Sequence, residues 1–327
     1  MGVYHLMGLG RSPGTVTGPL SYLAHRYQRW DENDQKFFSG SGEWKQRALA
    51  EKVGDVQAIV LFTTAEVIRA SDANGKSFLT LSYVKNQRGK TTGAENPSVE
   101  MSKALEQLLP DALIPICGNR ENVSVFWCEI DRRDIQNVFS RVIQVTEALR
   151  NVGALGKEIW ANLTGGNNVT NSALELAAYL SGDISRLYYV QAHDQAAEKC
   201  AFYTAEEGYW VDLPVMPLAI GRLRKAIINM LLTGAMQLGE IYSRLRNEYW
   251  DLARGLDNEA ILLDEHLKAM ERQGLIRDMG NKYIIGSQWE LIEPYLKTLD
   301  QARETHRTIE QLARDENWIT YQEIKIR

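Results

Sequence analysis

The chain carries near its start the apolar run VYHLMGL at residues 3–9, followed by the loop GRSPG at residues 10–14. The run is short, bounded by a turn signal and free of acidic or Lys/Arg residues, as expected of a buried strand. Pro13 and the glycines on either side favour a tight turn into a helix, because proline suits the first helical turn and glycine accepts turn conformations. The segment therefore predicts a strand, a glycine loop and a helix in succession.

The same alternation recurs along the first two thirds of the chain. Between residues 134 and 149, apolar residues spaced by three and four predict one face of a helix. A second glycine turn, TGGNN at residues 164–168, follows a predicted strand and precedes a predicted helix at 171–180. The further predicted strands are 58–63, 123–130, 157–163, 186–191 and 201–204. Such alternation predicts a Rossmann-like α/β domain with a mostly parallel sheet, whose ligands lie beyond the carboxyl ends of the strands.

Composition excludes several classes of protein. The 327 residues are 44% hydrophobic and 24% charged, enough to bury a full core, and the length predicts two domains. With 37 Lys+Arg against 42 Asp+Glu, the net charge of −5 provides no general basic field for nucleic acid or for an anionic membrane. Any contact with nucleic acid must therefore be local.

Cysteine usage and hydropathy indicate the compartment. None of the 3 cysteines belongs to a C-x-x-C pair, so a disulfide framework and a four-ligand zinc site are not expected. No metal site and no cofactor are predicted. No apolar run approaches the roughly 18 residues that span a bilayer, and a signal peptide is not evident. We expect a cytoplasmic protein without a membrane partner.

Residues 71–97 break the regular alternation. Turn signals at Asn74-Gly75, Arg88-Gly89 and Thr92-Gly93 surround one alternating stretch, 78–84. The pattern predicts a mobile hairpin, and its simplest explanation is an insertion at the surface.

The second domain is predicted to span residues 214–327, after two prolines in PVMP at 214–217. Helices are predicted at 218–232, 238–248 and 259–273, and two short strands follow around the turn at Gly280-Asn281. Three helices and a hairpin are the pattern of a winged helix-turn-helix domain, so this domain is expected to be mainly α. A last helix at 301–313 and an edge strand at 318–326 complete the prediction.

Three short motifs suggest other chemistry but fail on spacing. Gly8 and Gly10 begin a dinucleotide fingerprint whose third glycine should stand where Pro13 stands. Two Gly-Lys-Ser/Thr sequences, at 75–77 and 89–91, lack the glycine five residues earlier that a phosphate-binding P-loop needs. Arg186 and His193 approximate a ribonuclease spacing but flank a predicted strand instead of lying on a helix. A satisfied structural histidine is the simpler interpretation.

The two glycine turns carry a more specific signal. Small residues let a ligand approach the backbone, successive N–H groups form a nest for anions, and the helix that follows adds positive potential. Their sequences, GLGRSPGTVT at 8–17 and NLTGGNN at 162–168, resemble the two signature loops of the CRISPR-associated Rossmann fold (CARF) family. The resemblance covers residues 1–213. Structurally, the same turns also serve simply to connect strands to helices.

This resemblance implies a homodimer whose paired loops bind a cyclic oligoadenylate, with cyclic tetra-adenylate as the preferred ligand. It assigns ligand binding to the two loops, namely to Gly10, Arg11, Ser12, Pro13, Gly14, Thr164, Gly165, Gly166, Asn167 and Asn168. CARF domains followed by a winged helix occur in messenger-responsive regulators and in ring nucleases that degrade the messenger. The primary expectation is a CRISPR-linked sensor and regulator.

One departure bears on catalysis. Many relatives carry a lysine at the position of Asn168, and an amide cannot neutralise a phosphate as lysine does. The ring-nuclease alternative is therefore weakened, although Ser12 could position the ribose 2′-hydroxyl for attack. Arg11 could supply the missing charge. An unrelated nucleotide-binding enzyme remains a third interpretation.

The winged domain departs from a typical DNA reader as well. Residues 217–300 hold 11 Lys+Arg and 12 Asp+Glu, a net charge of −1, and the third helix is rich in acidic residues. Such a helix is poorly suited to face phosphates. Contact with double-stranded DNA would instead use Arg244, Arg246 and Lys282. The alternative is a domain for dimerisation or for relaying the signal.

Overall fold

The computed structural model describes residues 2–29, 34, 55–88, 91–92, 94–118, 120–152, 157–204, 207–215, 221–254 and 256–327. The chain divides into two compact units. The first comprises residues 1–217 and 299–327, and the second comprises residues 218–298. Among the described residues, no helix combines the length and the apolar character needed to cross a lipid bilayer.

A seven-stranded sheet organises the first unit. In chain order, the strands of the described residues are β1 (Gly2–Gly8), β2 (Val56–Thr63), β3 (Tyr83–Val84), β4 (Gln87–Arg88), β5 (Thr91–Thr92), β6 (Glu95–Asn96), β7 (Asn122–Glu129), β8 (Lys157–Asn162), β9 (Arg186–Ala192), β10 (Gly208–Leu213), β11 (Ile276–Asp278), β12 (Tyr283–Ile285) and β13 (Ile319–Lys325). The main sheet has the order β10-β9-β8-β1-β2-β7-β13. Its five central strands are parallel, whereas β10 and β13 pair antiparallel at the two edges. The predicted α/β class with a mostly parallel sheet is confirmed.

Helices connect the strands of the main sheet, and further helices build the second unit. In chain order they are α1 (Gly14–Arg29), α2 (Ala65–Arg69), α3 (Met101–Leu113), α4 (Ile135–Arg150), α5 (Asn168–Ser181), α6 (Arg222–Leu232), α7 (Leu238–Glu248), α8 (Glu259–Ile261), α9 (Lys268–Arg272), α10 (Ser287–Glu304) and α11 (Ile309–Asp315). All seven residues of β1 are buried, because a parallel strand in the middle of such a sheet has both faces covered.

The order of the strands contains one reversal. From β1 the chain moves to β2 and then to β7, outward in one direction. It then returns to the other side of β1 as β8 and continues outward through β9 and β10. The two loops that follow β1 and β8 therefore lead their helices away in opposite directions. In open α/β sheets, a crevice forms at such a switch point beyond the carboxyl ends of the strands.

The C-terminal segment belongs to the first unit, whereas the sequence assigned all of 214–327 to the second domain. Strand β13 pairs with β7 along its whole length and buries Ile319 and Ile324. Arg303 forms an ion pair with the buried Glu147 at 3.1 Å and also donates to the carbonyl of Ser181. The strand predicted at 318–326 exists at Ile319–Lys325, and its two buried residues, Ile319 and Ile324, lie on opposite faces because they are an odd number of positions apart.

Two further expectations differ from the structure, and one long helix was not predicted. Residues 201–204 form no strand, and the antiparallel partner of β9 is β10 at Gly208–Leu213. The single helix predicted at 301–313 is two helices, α10 and α11, because Thr308 caps a new helix by accepting from the backbone N–H of Gln311. Helix α3 has no counterpart among the predicted elements.

The second unit is built from three helical segments and a hairpin. Its segments are α6, α7 and the run 259–272, in which a π-helical stretch, Leu262–Leu267, separates α8 from α9. Strands β11 and β12 pair antiparallel, and the first part of α10 completes the unit. Its core includes Ile227, Ile241, Leu262 and Trp289. Helix α7 matches the predicted range 238–248.

A histidine lies in the centre of the main sheet. His5 is fully buried in β1, and its Nδ1 lies 2.9 Å from the hydroxyl of Tyr188. Burial, with the positive charge of Arg186 as the smaller cause, lowers the pKa of His5 from 6.5 to about 3. The imidazole is therefore neutral in the folded protein at physiological pH.

This histidine makes stability depend on pH. Because its pKa is lower in the folded state, its contribution is fully present above about pH 6.5 and is lost as the pH falls towards 3. We expect urea denaturation to show that the wild type loses about 2 kcal/mol more free energy of unfolding than His5→Gln between pH 7 and pH 5. The same change at exposed His25 serves as the control. Equal losses in wild type and His5→Gln would contradict this assignment.

Candidate functional site

The reversal of strand order brings two glycine loops to one edge of the sheet. The first loop, residues 9–14, connects β1 to α1, and the second loop, residues 163–168, connects β8 to the start of α5. Strands β1 and β8 are parallel neighbours in register from Gly2 opposite Lys157 to Met7 opposite Asn162. Their carboxyl ends therefore lie side by side. All ten residues that the sequence assigns to the ligand lie in these two loops.

The end of β1, from which the first loop starts, contacts the second loop through backbone atoms. A Cβ atom on Gly8 would lie 2.8 Å from the Cα atom of Gly166, and one on Gly165 would overlap the carbonyl oxygen of Gly8. Gly166 has a φ of 83°, a left-handed conformation that favours glycine. Glycine is therefore required at all three positions for the second loop to pack this closely against the end of β1.

Hydrogen bonds between side chains and the backbone hold the second loop in place. Asn162 accepts a hydrogen bond from the backbone N–H of Thr164 at 2.6 Å, and the Thr164 hydroxyl accepts one from the backbone N–H of Val190 at 2.8 Å. Asn167 caps α5 by accepting from the backbone N–H of Thr170 at 2.8 Å. Thr164 and Asn167 thus hold the loop, whereas Gly166 and Asn168 are exposed at its surface.

The first loop is tied to its surroundings in the same way. The carbonyl of Leu9 accepts from the hydroxyl of Thr63 at 2.8 Å, and the carbonyl of Ser12 accepts from the hydroxyl of Thr15 at 2.8 Å. Pro13 and Gly14 are buried, and Gly14 packs against the carbonyl of Cys200. Nothing lies within 4 Å of where a Cβ atom on Gly10 would point, so this glycine faces open space.

Two polar side chains of the first loop are accessible. Ser12 is half-buried, and within the described part of the chain its hydroxyl makes no hydrogen bond. Arg11 is exposed and its Nε donates to the carbonyl of Leu79 at 2.8 Å. A hydroxyl and a guanidinium beside exposed backbone are groups that bind ribose and phosphate.

The segment 71–97 is not a loose hairpin in its first half. The backbone N–H of Leu81 donates to the carbonyl of Arg11, and Val84 and Lys85 accept from the backbone N–H groups of Ala201 and Phe202. Only Tyr83–Val84 of the predicted stretch 78–84 is a strand. These contacts could not be predicted from the sequence, because main-chain groups make them and their partners are distant in the chain.

The candidate DNA-contacting residues lie in the second unit, whereas the two glycine loops lie in the first. Arg244 forms an ion pair with Glu248 at 2.9 Å, and Arg246 donates to the hydroxyl of Tyr242 at 3.0 Å. Lys282 is exposed in the turn between β11 and β12. Within the part of the chain that the structure describes, Arg244 is the one of these three cations that forms an ion pair with a carboxylate.

A separate cleft of about 590 Å³ lies at the carboxyl ends of β2 and β7. Much of its charge is compensated internally, since Arg69 pairs with Glu129 at 3.2 Å and Arg133 with Asp131 at 3.1 Å. Because these charges are paired within the cleft, we regard the two loops at the switch point as the better candidate site.

No group of three or more potential metal ligands occurs among the residues that the structure describes.

Comparison with known proteins names no activity. No protein-family model matches the sequence. The chain is similar to an uncharacterized protein of Archaeoglobus fulgidus, with 25% identity over 247 residues that cover 70% of this chain and 73% of the relative.

The glycines of the two loops are expected to respond differently to a side chain. Valine at Gly165 must displace the Gly8 carbonyl and the Thr15 side chain, so we expect a loss of about 1–3 kcal/mol in the free energy of unfolding. Valine at Gly10 enters open space and should change that free energy by less than about 0.5 kcal/mol. Urea denaturation of both variants measures the difference. Similar stability of the two variants would refute the described packing of Gly165 against Gly8 and Thr15.

Proposed function

We propose that the protein is a CARF sensor that binds a cyclic oligoadenylate, with cyclic tetra-adenylate preferred, and passes this event to a winged-helix domain. The observation that carries the proposal is the backbone contact between Gly8, where β1 ends and the first loop begins, and Gly165-Gly166 of the second loop, at the switch point of the sheet. The sequences of these two loops are the ones that resemble the signature loops of the family.

The chemistry of the crevice supports a phosphate-bearing ligand. Helices α1 and α5 both begin where the loops end, so two helix N-termini lie at neighbouring strand ends. Helix N-termini carry partial positive charge and unsatisfied N–H groups, which favour anions. Exposed Gly166 and open Gly10 let a ligand reach the backbone. Phosphate groups joined by ribose suit such a surface.

A ring of identical nucleotides suits a symmetric receptor. In a two-fold homodimer the same surface of each subunit faces the axis, so each half of the ring would meet the same two loops. The homodimer proposed here explains how two short loops per chain would hold a ligand of several nucleotides.

The second unit supports the regulatory part of the proposal. Three helical segments followed by a two-stranded hairpin agree with a winged helix-turn-helix arrangement. Arg246 and Lys282 are the exposed cations proposed for phosphate contact, together with Arg244 when it exchanges Glu248 for a phosphate. Such contacts would add affinity for double-stranded DNA without reading its sequence.

A ring nuclease is the second candidate, and the accessible Ser12 hydroxyl favours it. Cleavage by a ribose 2′-hydroxyl needs that nucleophile in line with the phosphorus and stabilisation of charge on the phosphoryl oxygens. Asn168 lies exposed where many members of the resembled family place lysine, and its amide carries no charge. The sensor therefore remains the preferred function.

The fate of the ligand tests the proposal. Labelled cyclic tetra-adenylate is mixed with wild type and Gly10→Val, then separated into bound, free and linear fractions. We expect the wild type to retain intact ligand and Gly10→Val, which is expected to fold, to lose binding by steric exclusion. Cyclic hexa-adenylate tests ring size in parallel. Rapid linearisation that is lost in Ser12→Ala would replace the sensor with the ring nuclease, and no binding of either ring would refute both.

DNA contact is tested by charge reversal in the second unit. If the winged domain binds DNA, Arg246→Glu should weaken binding and lower the slope of log affinity against log salt by about one. Lys297→Glu changes the charge equally at a lysine that pairs with Glu293 on α10, and serves as the control. Equal effects of both variants would argue against a specific role of Arg246. Absence of DNA binding by the wild type, with and without ligand, would favour a relay domain.

A further inference from the structure

A short segment of the 71–97 insertion forms hydrogen bonds and a cation–π contact with Arg11 of the first loop. We call residues 78–81 the strap. Its Leu79 carbonyl accepts from Arg11 Nε at 2.8 Å, and its Leu81 N–H donates to the Arg11 carbonyl at 2.8 Å. The Arg11 guanidinium also lies over the Phe78 ring, 4.9 Å from the centroid. One residue of the loop is thus held by its backbone, its Nε and the face of its guanidinium.

The strap is itself anchored. Thr80 exchanges two hydrogen bonds with Val99, its hydroxyl accepting at 3.1 Å and its N–H donating at 2.9 Å. Beyond the strap, Val84 accepts from the N–H of Ala201, whose carbonyl in turn accepts from the Thr17 hydroxyl at 2.5 Å. Thr17 belongs to α1, the helix that follows the first loop. Hydrogen bonds therefore connect the first loop to the strap, the segment after the strap to Ala201, and Ala201 to α1.

Arg11 is the single charged residue among residues 9–14 and 163–168. Its side chain is exposed, and among the described residues it makes no ion pair with a carboxylate. Because Leu79 occupies Nε and Phe78 covers one face, the remaining donors lie on the two Nη atoms. A guanidinium with both Nη groups available can bind two oxygens of one phosphate.

We propose that Arg11 is the phosphate-binding cation of the site and that Phe78 is the residue that positions it. This inference rests on the proposed function and specifies which group of this chain neutralises the ligand. The charge that many members of the resembled family place on the second loop, at the position of Asn168, comes in this chain from the first loop, held by the strap. The strap would then line the binding site.

The test uses the full-length protein and cyclic tetra-adenylate in titration calorimetry at several salt concentrations. We expect Arg11→Gln to weaken binding by about 10- to 100-fold and to reduce the dependence of log affinity on log salt, because one charge-assisted contact is lost. Arg132→Gln removes an equally exposed arginine outside both loops and should leave the affinity unchanged. Thermal melts verify that the variants fold.

A double-mutant cycle isolates the role of Phe78. Phe78→Leu should weaken binding by about threefold to tenfold when Arg11 is present and should have no further effect in the Arg11→Gln background. Phe78→Tyr keeps an aromatic face and should retain wild-type affinity.

The outcomes separate the two levels of the proposal. Wild-type affinity and salt dependence in Arg11→Gln, with ligand bound by the wild type, would overturn this inference and leave the sensor function intact. Equal effects of Phe78→Leu in both backgrounds would overturn the positioning role. A wild type that binds no cyclic oligoadenylate would overturn the proposed function and this inference with it.

Discussion

The contact between the backbones of Gly8 and of the Gly165-Gly166 pair is the constraint on which the site depends. The end of β1 and the second loop can approach this closely only because neither carries a side chain at the point of contact. That approach fixes where both loops leave the sheet and where α1 and α5 begin. A single Cβ atom would separate the loops, and with them the two sets of backbone donors that make the crevice attractive to phosphate.

Much of this architecture is readable from the sequence, because local signals agree with the fold. The run 3–9 is apolar throughout, and β1 is buried throughout. Both glycine loops fall at strand ends, as their composition predicts. The sequence does not distinguish Gly10, which faces open space, from Gly165, which is enclosed by Gly8 and Thr15. That difference arises from register between strands about 150 residues apart, which no local pattern records.

The insertion and the C-terminal segment were harder to predict for a related reason. Strap residues act through main-chain groups, and a carbonyl such as that of Leu79 has no sequence signature. The sequence predicts strand β13, but a strand pattern does not identify the partner strand, and β7 lies almost 200 residues earlier. The break between α10 and α11 depends on Thr308, which caps α11. The helical spacing of apolar residues across this region predicts one continuous helix and hides the break.

Pairing of β13 with β7 has a consequence for how the chain is made. The second unit lies between β10 and β13, so it interrupts a sheet that is completed only by the segment that follows it. During synthesis β7 therefore keeps an unpaired edge until residues 319–325 emerge from the ribosome, long after its other neighbour β2 is in place. An open edge strand can pair with another chain, so nascent chains would be most vulnerable to aggregation in this interval. Rapid folding of the inserted unit would bring its two ends closer together and so shorten the time that β13 needs to pair with β7.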